Sequence, residues 1–127
     1  MTFHVTRVAV SVLLLGASAA PSFAQAVQST LTLSLGGDAE QHSTAYDCGE
    51  LGQISVGYIN AAPNFLALVP YEGKTLIFAA ALAASGVRYV SGNYEWWTKG
   101  AEATFHDLTA AEDAPPLASC SEITNTP

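Results

Sequence analysis

Two short segments of the sequence carry side chains that could bind a charged partner or take part in catalysis. In the first, Ser85 and Gly86 precede the aromatic ring of Tyr89, and in the second, Lys99 and Gly100 occupy the expected tip of a hairpin. A hydroxyl and an ammonium can each form a hydrogen bond with a carboxylate, and the charge makes such bonds stronger than those between neutral groups. Ser85 and Lys99 are therefore candidate binding residues.

Two other interpretations of these segments remain open. Both segments could be ordinary turns in which Lys99 is simply hydrated, since exposed lysines at turns are common. Alternatively, Ser85 and Lys99 could form a catalytic dyad, but a reactive lysine must be desolvated. A lysine that precedes Gly100 at a hairpin tip is expected to be exposed, so the sequence favours a protein that is not an enzyme.

The sequence offers little support for metal binding or for other familiar catalytic groups. Beyond the first 24 residues the histidines are His42 and His106, and no third ligand lies at a useful spacing from either. His106 and Asp107 are adjacent, so on a strand their side chains point to opposite faces. Neither a nucleophile elbow nor a phosphate-binding glycine loop is present. We expect no metal and no cofactor.

The charge balance argues against two large classes of partner. Lysine and arginine number 4 against 11 aspartates and glutamates, which gives a formal net charge of −7. Binding to nucleic acid or to an anionic membrane surface requires a basic face, which so few cations cannot supply. The acidic balance favours a basic partner instead.

Short β-strands are expected to position the two segments. Apolar and polar residues alternate along much of the chain, and turn residues recur about every 8–12 residues. The expected strands are, in chain order, residues 30–35, 44–48, 53–60, 65–69, 75–80, 87–90, 93–98 and 102–108. Beyond Pro115 and Pro116 we expect a short irregular tail, ordered only near Cys120. Most connections resemble hairpins, which predicts an antiparallel meander in a sandwich or a small closed barrel.

The first 24 residues are predicted to be a secretory signal peptide. A polar start that includes Arg7 is followed by an apolar run, and Ala24 supplies the small residue that cleavage requires. The run is shorter than the ~20 residues of a membrane-spanning helix, although an uncleaved anchor is the alternative. Residues 25–127 would then be a single exported domain. Its three basic and 11 acidic residues give a net charge of −8.

Export also bears on the two cysteines, Cys48 and Cys120. An oxidising compartment favours a disulfide between them, with two free buried thiols as the alternative. The bond would close a long loop, for which the chain-entropy model predicts a stabilisation of ~4 kcal/mol. A small domain has a limited core, so a covalent link between its first and last parts is physically sensible.

Several segments, in this order and spacing, resemble the periplasmic inhibitors of c-type lysozyme, the MliC/PliC family. The matching segments are Tyr46-Asp47-Cys48, Val56-Gly57-Tyr58-Ile59-Asn60, Leu66-Ala67-Leu68-Val69-Pro70, Ser85-Gly86-Val87-Arg88-Tyr89, Trp97-Thr98-Lys99-Gly100, Ala101-Glu102-Ala103 and Cys120. The Ser-Gly-x-x-Tyr loop and the aromatic-x-Lys-Gly turn are the most informative. No cysteine follows the apolar run of the signal, so the chain is expected to resemble the soluble branch rather than the lipid-anchored members.

The resemblance implies a fold and a function. The fold would be a small antiparallel β-barrel of about eight strands with one disulfide. Ser85 and Lys99 would enter the cleft of a basic c-type lysozyme and engage its catalytic carboxylates, while Gly86, Tyr89 and Gly100 would shape the inserted loops. The protein would then protect exported peptidoglycan from lysozyme.

Three questions stay open at this point. A lipocalin-like carrier of a small apolar ligand is the main alternative function, because an eight-stranded barrel can hold one small ligand. A homodimer through an exposed strand edge is possible in principle. Whether the target is a host lysozyme or an endogenous wall-cleaving enzyme is not decided by the residues.

Overall fold

The computed structural model describes residues 29–124, and within them the chain forms a closed antiparallel β-barrel. Its strands are β1 (Glu40–Asp47), β2 (Gln53–Ala61), β3 (Asn64–Tyr71), β4 (Lys74–Ala81), β5 (Val87–Ser91), β6 (Tyr94–Lys99), β7 (Glu102–Asp107) and β8 (Ala118–Glu122). Each strand pairs with the next one along the chain, and β8 closes the barrel against β1. The predicted all-β fold class and meander are confirmed. The predicted signal peptide lies outside the described residues.

Period-two alternation sends one face of the strands into the barrel. Val56 and Tyr58 of β2 are 0% and 6% exposed, and Ile54 packs against the same core, as the alternation predicted. The largest fully buried side chains are Trp96, Phe78, Phe105, Val56, Val69 and Cys120. These side chains fill the interior, as is usual for a barrel of this size.

The predicted disulfide joins the two strands at which the barrel closes. Cys48 directly follows β1, Cys120 lies in β8, and the two residues are 72 positions apart and bonded. Both are buried, at 2% and 1% exposure. The bond therefore reinforces the β1–β8 seam, where the strands pair through only Tyr46↔Glu122 and Asp47↔Ser121.

The strand expected at residues 30–35 does not form, and that prediction is wrong. Residues 29–39 have no regular structure, and Leu31 and Leu33 are 64% and 47% exposed. The first strand begins at Glu40 instead, so the expected strand at residues 44–48 is the second half of a longer β1. Because β1 pairs with both β2 and β8, the barrel offers no open edge to which residues 30–35 could add.

The C-terminal segment, expected to be an irregular tail, contains β8. Ala118–Glu122 pairs with β7 from Phe105↔Ala118 to Glu102↔Ser121 and with β1 on its other side. Its inward residues, Ala118 and Cys120, are small and give a weak hydrophobic pattern. The strand forms because it completes the backbone hydrogen bonding of β1 and β7. A local sequence pattern cannot indicate pairing of this kind.

Among residues 29–124, no helix has the length and apolar content needed to cross a membrane.

Candidate functional site

The meander brings the two candidate segments to the same end of the barrel. In an up-and-down barrel successive connections alternate between the two ends. The β4–β5 loop (residues 82–86) and the β6–β7 turn (residues 100–101) are two connections apart, so they share one end. We call it the site end. Since β5 and β6 are also neighbours, paired from Val87↔Thr98 to Ser91↔Tyr94, the loop that carries Ser85 lies beside the strand that ends at Lys99.

The two segments are in direct contact at Gly86. A Cβ atom at this position would lie 2.2 Å from the backbone oxygen of Thr98 and 2.7 Å from Cγ of Lys99. The φ angle of Gly86 is +66°, in the region that favours glycine. Only a residue without a side chain can therefore bring the loop this close to β6.

Trp97 links the same two segments from the outer face of the barrel. Its Nε1–H donates a hydrogen bond to the backbone oxygen of Ser85, with a donor–acceptor distance of 2.9 Å. The Nζ atom of Lys99 lies 4.1 Å from the centroid of the Trp97 ring, within the range of a cation–π contact. Ser85 and Lys99 are both exposed, so their polar groups remain available to a partner.

The β6–β7 turn presents Lys99 outward. Lys99 pairs with Glu102 across a two-residue turn, and Gly100 takes the first central position with φ +59°. A positive φ at this position is typical of the type II′ hairpin turn. Nothing lies within 4 Å of a Cβ built at Gly100, so this glycine serves the turn geometry and not a close approach.

Tyr89 lies inside the barrel and not on its outer surface. It is 5% exposed, and its ring centroid is 5.8 Å from that of Tyr58. Burial raises the pKa of Tyr89 above its usual value. Its position supports β5 beneath the loop, whereas Ser85, Gly86, Lys99 and Gly100 are all at the exposed site end.

A buried hydrogen-bonded chain lies below the site. Trp96 Nε1 donates to the Tyr58 hydroxyl at 3.0 Å, and that hydroxyl shares a 3.0 Å hydrogen bond with the hydroxyl of Tyr46. Burial, followed by the hydrogen bond with Tyr46, raises the pKa of Tyr58 far above its usual value. A polar pocket of about 230 Å³, lined in part by Tyr46, Tyr58, Tyr89 and Gly100, opens above this chain.

The tandem tryptophans divide between the core and the surface, as alternation predicts. Trp96 is 0% exposed, whereas Trp97 is half-buried on the outer face. On a strand, alternation places one ring of such a pair near the surface, but it does not by itself connect that ring with Ser85 or Lys99. The available signal was the spacing, since residues 97 and 99 of one strand must share a face.

An ion pair stabilises the outer face of β5 and β6. Arg88 Nε donates to Glu95 Oε2, and the side chain of Glu95 is only 9% exposed while that of Arg88 is 30% exposed. The guanidinium of Arg88 is thus paired with Glu95 of the same barrel. It is less available to another protein than the ammonium of Lys99.

Within the described residues, the candidate metal ligands and Lys99 lack the surroundings that a metal site or a Ser85/Lys99 dyad would require. Within residues 29–124, no group of three or more His, Cys, Asp or Glu side chains is placed to hold a metal ion. His42 stacks on the ring of Tyr58, with 5.1 Å between centroids. Lys99 is exposed, whereas a catalytic dyad requires a desolvated lysine.

Comparison with known proteins assigns the family. The sequence model of the family described as "Membrane-bound lysozyme-inhibitor of c-type lysozyme", MliC, matches residues 46–114, more than half of the chain. The chain belongs to this family. The resemblance seen in the sequence is confirmed, and the matched range includes both the Ser85 loop and the Lys99 turn. β8 and Cys120 lie beyond it.

Two curated members of the family align with this chain over 76 and 77 residues. A membrane-bound lysozyme inhibitor of C-type lysozyme from Cupriavidus necator is 45% identical over 76 residues, which is 59% of this chain and 61% of that protein. The protein of the same name from Pseudomonas aeruginosa is 43% identical over 77 residues, or 58% of this chain and 61% of that protein. The chain therefore spans about three fifths of the length of these relatives.

A solved structure shares the barrel. The crystal structure of Pseudomonas aeruginosa MliC in complex with hen egg white lysozyme matches with a TM-score of 0.61 and 37% identity. The alignment covers 78% of this chain and 99% of the MliC chain. The MliC fold is thus common to both proteins.

Proposed function

We propose that this protein inhibits c-type lysozyme by inserting the Ser85 loop and the Lys99 turn into the active-site cleft. The observation that carries the proposal is the contact between the two segments at one exposed end of the barrel, where Gly86 approaches Thr98 and Lys99. The loop that carries Ser85 and the strand end that carries Lys99 are thus neighbours, which supports their joint entry into one cleft. The family membership and the lysozyme bound to the similar Pseudomonas aeruginosa protein support the choice of partner.

The chemistry of the cleft suits this pair. A retaining glycosidase holds its acid and its nucleophile about 5–5.5 Å apart. In the proposed complex Lys99 engages one catalytic carboxylate and Ser85 the other, which excludes both substrate and water. Each hydrogen bond to a charged group contributes about 1.5–3 kcal/mol when its geometry is good. Gly100 allows the sharp turn that places Lys99 at the tip, so that its side chain can enter the cleft.

Charge supports the same partner. The chain has a formal net charge of −7, and a basic lysozyme would be attracted to it from a distance. We further propose that the protein acts in the periplasm, protecting peptidoglycan, and that it is not an enzyme. The exposed position of Lys99 supports inhibition over dyad catalysis.

The carrier alternative has less support. A lipocalin-like carrier would need an apolar cavity, whereas Trp96, Phe78, Phe105 and Val56 are at most 1% exposed and fill the barrel. The pocket at the site end is lined by tyrosine hydroxyls and other polar groups, which do not suit an apolar ligand.

The test is a titration of residues 25–127 in a cell-wall lysis assay with a c-type and a g-type lysozyme. We expect inhibition of the c-type enzyme and a loss of about 10- to 100-fold for Ser85→Ala or Lys99→Ala, the equivalent of one lost charged hydrogen bond. Lys74→Ala is the matched control, because Lys74 is an exposed lysine at the opposite end of the barrel. Absence of inhibition at micromolar protein would end the proposal, and equal losses for Lys99→Ala and Lys74→Ala would remove Lys99 from it.

A further inference from the structure

One side chain contacts both of the residues on which the proposed function rests. The indole N–H of Trp97 donates to the backbone oxygen of Ser85, and the Trp97 ring lies beneath the ammonium of Lys99. We propose that Trp97 is a positioning residue, which holds the Ser85 loop and the Lys99 side chain in the arrangement that the partner's cleft accepts. This inference rests on the proposed function and adds a residue to it.

Tryptophan is suited to both contacts at once. Its hydrogen-bond donor lies at the edge of the ring, while the electron-rich face attracts a cation. Trp97 and Lys99 share the outer face of β6, and Trp97 pairs with Arg88 of β5, so the ring edge reaches the loop that precedes β5. Phenylalanine would offer the ring face without the donor.

The contacts restrict the two groups differently. The Ser85 carbonyl is tied to Trp97 directly before Gly86, where a Cβ atom would lie only 3.1 Å from Trp97 Nε1. The loop therefore has little room to shift while the hydrogen bond exists. Lys99 has a flexible four-carbon stem, and the ring limits where its ammonium can go. Groups ordered in advance lose less freedom when a complex forms, which favours tighter binding.

Two other roles for Trp97 must be separated from positioning. A half-buried aromatic side chain could contact the partner directly, as interface anchors often do, or it could only stabilise the barrel. Trp97→Phe distinguishes these roles because it keeps an aromatic face against Lys99 and most of the apolar surface. It removes the N–H that binds Ser85.

The experiment compares inhibition constants for the wild type, Trp97→Phe, Ser85→Ala and the double variant, with a melting temperature for each. We expect Trp97→Phe alone to weaken inhibition of c-type lysozyme about 5- to 10-fold. In the Ser85→Ala background the same change should cost less than about twofold, because coupled residues are not additive. Tyr94→Phe is the matched control: Tyr94 is a half-buried aromatic residue at the opposite end of β6, and this change, which also removes one polar group from a ring, should leave the inhibition constant unchanged.

The outcomes separate this inference from the proposed function. An unchanged inhibition constant for Trp97→Phe, or an equal loss in both backgrounds, would overturn the positioning role while inhibition itself stands. A wild type that does not inhibit would refute the proposed function, and the positioning role in inhibition would fall with it. Amide hydrogen exchange of the free protein checks the mechanism separately: exchange in residues 82–86 should rise in Trp97→Phe, and unchanged exchange would refute the claim that Trp97 orders the loop.

Discussion

Replacing Gly86 by alanine should reduce stability and inhibition together. The new Cβ atom would lie 2.2 Å from the backbone oxygen of Thr98, which is 1.2 Å short of an ordinary contact of 3.4 Å. That oxygen belongs to β6 and cannot move without disturbing the strand. The loop that carries Ser85 must therefore shift outward, or the β5–β6 pairing must distort.

Two costs combine in this variant. A side chain at φ +66° costs roughly 1–2 kcal/mol, because the left-handed region is strained for residues other than glycine. Overpacking against a fixed group adds about 1–3 kcal/mol. We expect a total of about 2–5 kcal/mol, which for a domain of about 100 residues lowers the melting temperature by about 10–25 °C.

Gly92→Ala supplies the matched control. Gly92 also has a positive φ, +56°, but nothing lies within 4 Å of a Cβ built on it, and it sits in the turn at the opposite end of the barrel. It should therefore show the backbone cost alone, roughly 1–2 kcal/mol, with inhibition unchanged. Thermal unfolding and lysozyme titration of both variants give the comparison. If Gly86→Ala and Gly92→Ala behaved alike in both measurements, the close approach at Gly86 would have no energetic consequence and the reasoning would be refuted.

Three further predictions concern the disulfide, the buried tyrosines and salt. The double variant Cys48→Ala/Cys120→Ala should lose about 4 kcal/mol of unfolding free energy in urea, as chain entropy predicts for a sequence separation of 72; a loss below about 1 kcal/mol would contradict this. Burial raises the pKa values of Tyr46, Tyr58 and Tyr89 above 10 in the folded state, so the stability that their neutral forms contribute is complete below pH 10 and is lost as pH rises further. The melting temperature should thus stay constant up to about pH 10 and fall as pH rises further, and a constant value above pH 10 would argue against buried neutral tyrosines. The association rate with lysozyme should decrease about tenfold or more from low to high ionic strength with little change in dissociation rate, measured by surface plasmon resonance; a salt-independent rate would exclude electrostatic steering.

Local sequence predicted the hairpins well because their signals are local. Turns at Gly73, Gly92 and Gly100 have positive φ angles that glycine accommodates, and the strands beside them alternate in the expected register. Two errors arose where pairing is not local. Residues 30–35 alternate like a strand but find no partner, while β8 has a weak pattern and is specified by β1, β7 and the disulfide.

The same difference between local and non-local signals applies to the candidate site. The exposure of Lys99 follows from turn chemistry and was predicted from the sequence. The link through Trp97 was not, because it joins a ring on β6 to a carbonyl 12 residues earlier. Such a contact depends on how two strands and a loop meet in three dimensions.

The most direct test of the central claim is a crystal structure of the protein bound to a c-type lysozyme. The proposal predicts that Nζ of Lys99 and Oγ of Ser85 each lie about 2.7–3.2 Å from a different catalytic carboxylate of the enzyme. A complex in which the cleft is open to solvent, or is filled by another part of the barrel, would contradict it.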